Sequence, residues 1–353
     1  MRNGPLFRLG IVIVLGLTLA GCGGTTVAQN TELILLEWSG YELPEFWEPF
    51  EAQHPEIEPK YSFFAEDTEA FSKAQSGFEF DLIHPCSSYW KLYVDAGLVQ
   101  PIDTSRLSNW SGVYESLASQ GNFDGQQFFI PWEWGYESIL VRTDLVEEVP
   151  TSWADLWDPQ YAGHVAVFDS GESNFVMAAS VLGIDPYAAT PEQVEQVKQK
   201  LLELKPNLLT YWTDYTEINQ LVAQGDVWLA GQAWNDAYAA LYDEGYEVEY
   251  LNPEEGRLGW LCGFGISANS ANVDLAYDYI NAALDAQSMA NMGNAYYYGV
   301  ANADAVPLLD PYFVELMEMG DPSILNDTVF YQSLTDEQRE LFATIWSEVK
   351  AGQ

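Results

Sequence analysis

Basic residues are scarce in this chain: 13 Lys and Arg stand against 53 Asp and Glu, giving a formal charge of −40 at pH 7. That deficit excludes a nucleic-acid partner, because phosphate binding needs clustered Lys and Arg. An acidic surface concentrates cations near a cleft, and it also suits a protein facing salty water; charge alone does not choose between the two. Histidine is equally sparse, at positions 54, 84 and 164 only, none in a metal-ligand spacing. No Gly-x-Ser-x-Gly elbow and no phosphate-cradling glycine loop is present. Neither a catalytic role nor a cofactor or metal is therefore expected. Paired carboxylates for glycoside chemistry stay open on sequence grounds, since such acids meet in space and not in spacing. Beyond the N-terminus no run is long and apolar enough to span a bilayer, and after residue 30 there is no internal repeat or low-complexity linker.

What is present begins with Arg2 and Arg8 ahead of an apolar run over residues 9–20, the pattern of a signal-peptide core. It is too short for an ordinary membrane span. The run ends in Leu19-Ala20-Gly21-Cys22, which resembles the bacterial lipobox, in which the cysteine thiol is lipidated and becomes the first mature residue. Residues 1–21 are thus expected to be removed, Cys22 to carry the lipid, and residues 22–30 to form a flexible tether. An unlipidated Cys22 beside a conventional cleavage site is the alternative. The mature chain is expected to sit in the periplasm or on the outer cell-membrane face, touching the membrane through its lipid alone.

Roughly 330 residues then remain, more than one hydrophobic core usually organises, so two lobes are expected. Short strand-like runs alternate with helical patterns, as in an α/β fold with largely parallel sheets. Glu32-Leu33-Ile34-Leu35-Leu36-Glu37-Trp38 reads as a first strand, residues 43–54 as a helix with Pro44 near its start, and residues 80–83 as a second buried strand. Thr190 with Gln193, and Thr335 with Gln338, form capping boxes that open two later helices.

Several motifs resemble one family. Trp38-Ser39-Gly40-Tyr41, Asp81-Leu82-Ile83, Gly97-Leu98-Val99-Gln100, Ile130-Pro131-Trp132-Glu133-Trp134-Gly135, Thr151-Ser152-Trp153-Ala154-Asp155-Leu156-Trp157 and Ala233-Trp234-Asn235 occur in the order seen in periplasmic spermidine- and putrescine-binding proteins of ABC importers. The resemblance implies a type II periplasmic-binding fold, two α/β lobes joined by a strand hinge. It places the crossings near residues 136–140 and 257–260, with lobe 1 over 31–138 and 260–308, and lobe 2 over 139–259 and 309–353. The role it implies is capture of a small organic cation, polyamine-type, by a monomer that closes on it and docks on a permease and ATPase pair. The implied ligand residues are Trp38, Ser39, Tyr41, Ser87, Trp132, Trp134, Ser170, Ser173, Asp214, Trp234, Asp236, Trp260 and Cys262. Aromatic faces suit the methylenes and ammonium groups of such a ligand, and carboxylates complete the charge pairing.

The chain departs from the family where acids are needed. Ser170 and Ser173 stand at two acid positions, Cys262 at a third, and Val300 replaces an aromatic wall. Asp169, Glu172, Glu133, Glu137, Asp214, Glu217 and Asp236 are nearby in sequence as substitutes. A quaternary ammonium, a zwitterion or a sugar is the alternative ligand. An anion is disfavoured, since the nearest arginines, Arg142 and Arg257, fall outside the matched loops. In the family's frame Cys86 and Cys262 both face the ligand. A disulfide is one expectation, two buried free thiols a second, and a metal site with His84 the least favoured.

Overall fold

The computed structural model describes residues 32–319 and 321–352; the signal peptide expected over 1–21, the lipidation expected at Cys22 and the tether expected over 22–30 fall outside the described residues. Eight strands build the framework: β1 (Glu32–Trp38), β2 (Glu58–Phe64), β3 (Leu82–Ile83), β4 (Phe129–Arg142), β5 (Val165–Phe168), β6 (Leu208–Trp212), β7 (Leu229–Trp234) and β8 (Leu258–Ser267). They lie in the order β2-β1-β3-β8-β4-β7-β5-β6. β1 is parallel to β2 and β3, and β5 is parallel to β6 and β7. Between these two parallel blocks run β4 and β8, antiparallel to each other and to their outer neighbours. The expectation of parallel sheets therefore holds within each block and fails at the centre. The 14-residue β4 pairs with β8 from Phe129 onward and with β7 from Glu137 to Val141, so one strand serves both blocks.

The helices that carry the argument are α1 (Glu48–Gln53), α2 (Asp67–Gln75), α3 (Ser87–Asp95), α4 (Gly171–Val181), α5 (Pro191–Leu204), α6 (Tyr215–Gln224), α7 (Asn235–Asp243) and, last in the chain, α8 (Asp336–Ala351). Both capping boxes form: Thr190 accepts from the Gln193 amide and Thr335 from the Gln338 amide, with each glutamine bonding back to the cap. Such a cap contributes on the order of 1 kcal/mol. The helix expected over 43–54 is broken into a turn at Pro44–Phe46 and α1. Pro49 is the cause: it has no amide hydrogen and its ring would strike the carbonyl four residues back, so it is tolerated only in the first turn of a new helix.

β1 is apolar on both faces, as a strand covered by helices on two sides must be; Leu33, Leu35 and Leu36 are buried with Phe50, Leu82, Ile83, Trp90, Phe129 and Phe264. A second core joins Trp153, Val165, Val167, Phe175, Leu201, Leu229, Phe342 and Trp346. The first core continues past β4 to Trp212, Ile218 and Val222, so the two blocks meet over packed side chains as well as along the sheet.

Candidate functional site

Side chains alternate across a strand, and partners in an antiparallel pair share a face. On β4 this puts Glu133, Gly135 and Glu137 on one side. Their partners are Cys262 and Trp260 on β8, opposite Glu133 and Gly135, and Trp234 on β7, opposite Glu137. The other side of β4 carries Trp134 and Tyr136, both buried. The floor of the site is therefore a row of acids and indoles, with one glycine at its centre.

That glycine makes room for Trp260. A methyl group at Gly135 would lie 2.3 Å from the indole Cζ2, so the ring rests directly on the backbone, with Tyr298 edge-on at 4.6 Å. Gly135→Ala is expected to push Trp260 off the floor and to cost about 1–3 kcal/mol. Denaturant unfolding and near-ultraviolet circular dichroism would both register it, and an unchanged tryptophan signal would contradict this packing.

Trp234 closes the row against Phe168 and Trp212, with ring centres 5.2 Å away in each case. Trp212 is fully buried, whereas Trp234 and Trp260 are half-buried. Trp38 is held in place by the bond from its indole N–H to the His84 carbonyl at 2.8 Å. Tyr41 donates to Glu133 Oε2 at 2.7 Å. Beneath this loop His84 Nδ1 is 2.7 Å from Glu37 Oε1, and its Nε2 is 3.7 Å from Glu133 Oε1. Burial pushes the Glu133 carboxyl up to about 7 against the pull of His84 and the Tyr41 hydroxyl. Glu37 is raised as well, by burial that outweighs the attraction of His84.

At the other end of the row Glu137 is 5% exposed. Burial pushes it up to about 7, partly offset by the Tyr331, Ser173 and Trp234 donors. Tyr331 donates to its Oε2 and lies 2.8 Å from Ser173 Oγ. Asp67 and Glu172 complete the acids. Burial raises them to about 7 and about 8; the Cys86 amide, His84 and Arg339 oppose the rise at Asp67, and Arg339 opposes it at Glu172. Asp67 also accepts from the Cys86 amide. Cys86 and Cys262 are joined by a disulfide that ties the start of α3 to β8.

The expected ligand residues separate into three groups. Trp38, Tyr41, Trp234, Trp260 and the disulfide-bonded Cys262 surround the floor, and Ser39 is exposed beside Trp38. Ser173 reaches the floor through Tyr331. Others are engaged elsewhere. Trp132 and Trp134 are buried, their indoles bonded to the Ala283 and Val300 carbonyls. Ser87 donates to the Tyr331 carbonyl, and Ser170 and Asp214 cap α4 and α6. Asp236 stands in the first turn of α7, where burial raises its carboxyl. Sequence reasoning missed Gly135 and Tyr331. A β4–β8 register would have found the first; nothing local marks the second, which reaches Glu137 from 194 residues away.

Two parallel α/β blocks joined by an antiparallel strand pair, with an aromatic and acidic floor at the junction, define a two-lobed binding protein. The chain belongs to the bacterial extracellular solute-binding protein family, whose model matches residues 45–315; it is a solute-binding transporter component and not an enzyme. It is 27% identical over 303 residues to the spermidine/putrescine-binding periplasmic protein of Escherichia coli, covering 85% of this chain and 86% of that one. It shares the fold of a spermidine/putrescine transporter substrate-binding protein from Streptococcus pneumoniae, with a TM-score of 0.79 and 22% identity over 92% of this chain and 99% of that one. A lipoprotein of Treponema pallidum has the same fold, with a TM-score of 0.78 and 19% identity over 90% of this chain and 99% of that one.

Proposed function

We propose that this chain is the ligand-capturing lipoprotein of an ABC importer, taking a small organic cation of polyamine type into the cleft above β4 and handing it to a permease. The observation that carries the reading is the pair of half-buried indoles, Trp234 and Trp260, set in one row with Glu133 and Glu137. An indole face attracts a cation by about 2 kcal/mol once water is excluded, and its flat surface covers methylenes. Relatives named for spermidine and putrescine support the ligand class. The lobes divide at residues 138/139 and 259/260, with 309–353 returning to the second; they close on the ligand by hinge motion. Cys22 anchors the monomer by its lipid, in the periplasm or on the outer cell-membrane face.

A quaternary ammonium is the second reading, favoured because the sulfur of Cys262 is tied up in the disulfide and Ser170 is spent as a helix cap, so neither adds charge. Trp260→Ala and Trp234→Ala test the main reading by calorimetry with putrescine. Each is expected to weaken binding roughly tenfold or more, since about 1.4 kcal/mol is a factor of ten. Undiminished affinity in both variants would overturn the aromatic cleft.

A further inference from the structure

We infer that Glu137 is the residue that holds the ligand's charged nitrogen, and that this nitrogen carries hydrogens to donate, as in a primary or secondary ammonium. The inference rests on the cation reading above and assigns its charge partner. Glu137 is 5% exposed, and a buried carboxylate is stable only when paired or hydrogen-bonded. No Lys, Arg or His among the described residues forms an ion pair with it; the ion pairs of the site go to His84 instead. Its donors are all neutral: the Tyr331 hydroxyl on Oε2, with Ser173 and the Trp234 indole beside it. Glu137 belongs to the same row as Trp234 and, two residues along, Trp260. A cation lying between the two indole faces meets a buried carboxylate that has neutral donors and no positive partner among the described residues. An ammonium N–H supplies that charge together with a charge-assisted hydrogen bond. A quaternary ammonium has no hydrogen to give.

The surroundings keep that role specific. Tyr331 and Trp234 donate toward Glu137, and Ser173 stands behind Tyr331. Glu172 on α4, together with Tyr187 and Tyr250, are the other titratable groups that sense its charge. Arg257, next to Leu258 on β8, is directed away: it stacks on Tyr136 and pairs with Glu318. No basic side chain among the described residues thus competes with a ligand ammonium for Glu137. Tyr331 is a positioning residue, fixing Oε2 and favouring the charged form.

A carboxylate raised to about 7 must lose its proton before it holds a cation, so affinity should climb roughly tenfold between pH 6 and pH 8. Calorimetry of the mature chain with putrescine and with choline tests this. The wild type is expected to bind putrescine with that pH dependence and to bind choline more weakly. Glu137→Gln keeps the shape of the neutral acid; it should lose at least tenfold in putrescine affinity at pH 8 and flatten the profile. Tyr331→Phe should retain binding and move the rise to higher pH, an effect a purely structural hydroxyl would not give. Putrescine binding unchanged in Glu137→Gln, or choline bound as tightly as putrescine, overturns the assignment to Glu137 and leaves the cation receptor standing. A wild type that binds neither overturns both.

Discussion

Thermal unfolding is expected to shift to higher temperature when the pH is lowered from 8 to 5.5. Asp67, Glu133 and Glu137 have carboxyls raised to about 7 and Glu172 to about 8, in each case chiefly by burial. In the unfolded chain the same groups titrate near 4. Between those values the folded state holds more protons than the unfolded state, so stability falls as pH rises. The contribution is fully present below about pH 4 and is lost as pH passes through 7 to 8. The groups raised to about 7 account for about 2 kcal/mol each across the interval and Glu172 for about 3, and coupling among them keeps the total to several kcal/mol. For a chain of this size that corresponds to a rise of roughly 5–15 °C. Repulsion in a chain of charge −40 acts in the same direction, so the wild-type shift must be compared with that of variants. Glu133→Gln and Glu137→Gln should each flatten the dependence. A midpoint that is level or falls on acidification within this window would show that these carboxyls are not held in their raised state.

Loss of the Cys86–Cys262 bond should have an effect of comparable size. The bond closes a loop of 176 residues in sequence, and a long loop gives a large loss of chain freedom in the unfolded state, about 3–5 kcal/mol of stability in the entropic description. It also fixes the first turn of α3 against β8 two residues from Trp260. A Cys86→Ser/Cys262→Ser double variant, or reductant added to the wild type, is expected to lower the unfolding midpoint by roughly 10 °C. Reductant should leave the double variant unaffected. Equal midpoints for oxidised and reduced wild type would remove the bond from any stabilising role.

Features set by neighbours in the chain were legible before the fold. β1 was visible from its unbroken apolar run, and two helix starts from Thr190 and Thr335 with their partners three residues on. Pro49 carried the break in the first helix in plain view, but the apolar spacing of Phe46 and Phe50 across it reads as one helix. Trp234 and Trp260 were legible as candidates because the family resemblance carries aromatic ligand residues to both positions. Their meeting was not, since it depends on a register in which Trp260 faces a glycine and Trp234 faces Glu137. Trp132 and Trp134 show the converse: flanking a candidate site residue in sequence, they alternate into the core, and their indoles are spent on backbone carbonyls. Among the acids near the motifs, Glu137 was one of seven candidates; Glu133 is equally buried and tyrosine-bonded but faces His84, and only burial without a basic partner among the described residues singles Glu137 out.

The measurement that bears most directly on a cation receptor is calorimetric titration of the mature chain at pH 8 with polyamines, choline, glycine betaine, amino acids and neutral oligosaccharides. One molecule of a small amine, putrescine or spermidine, is expected to bind per chain, in preference to every neutral or anionic compound. Tight binding of a neutral oligosaccharide, with no heat from any cation, would contradict it.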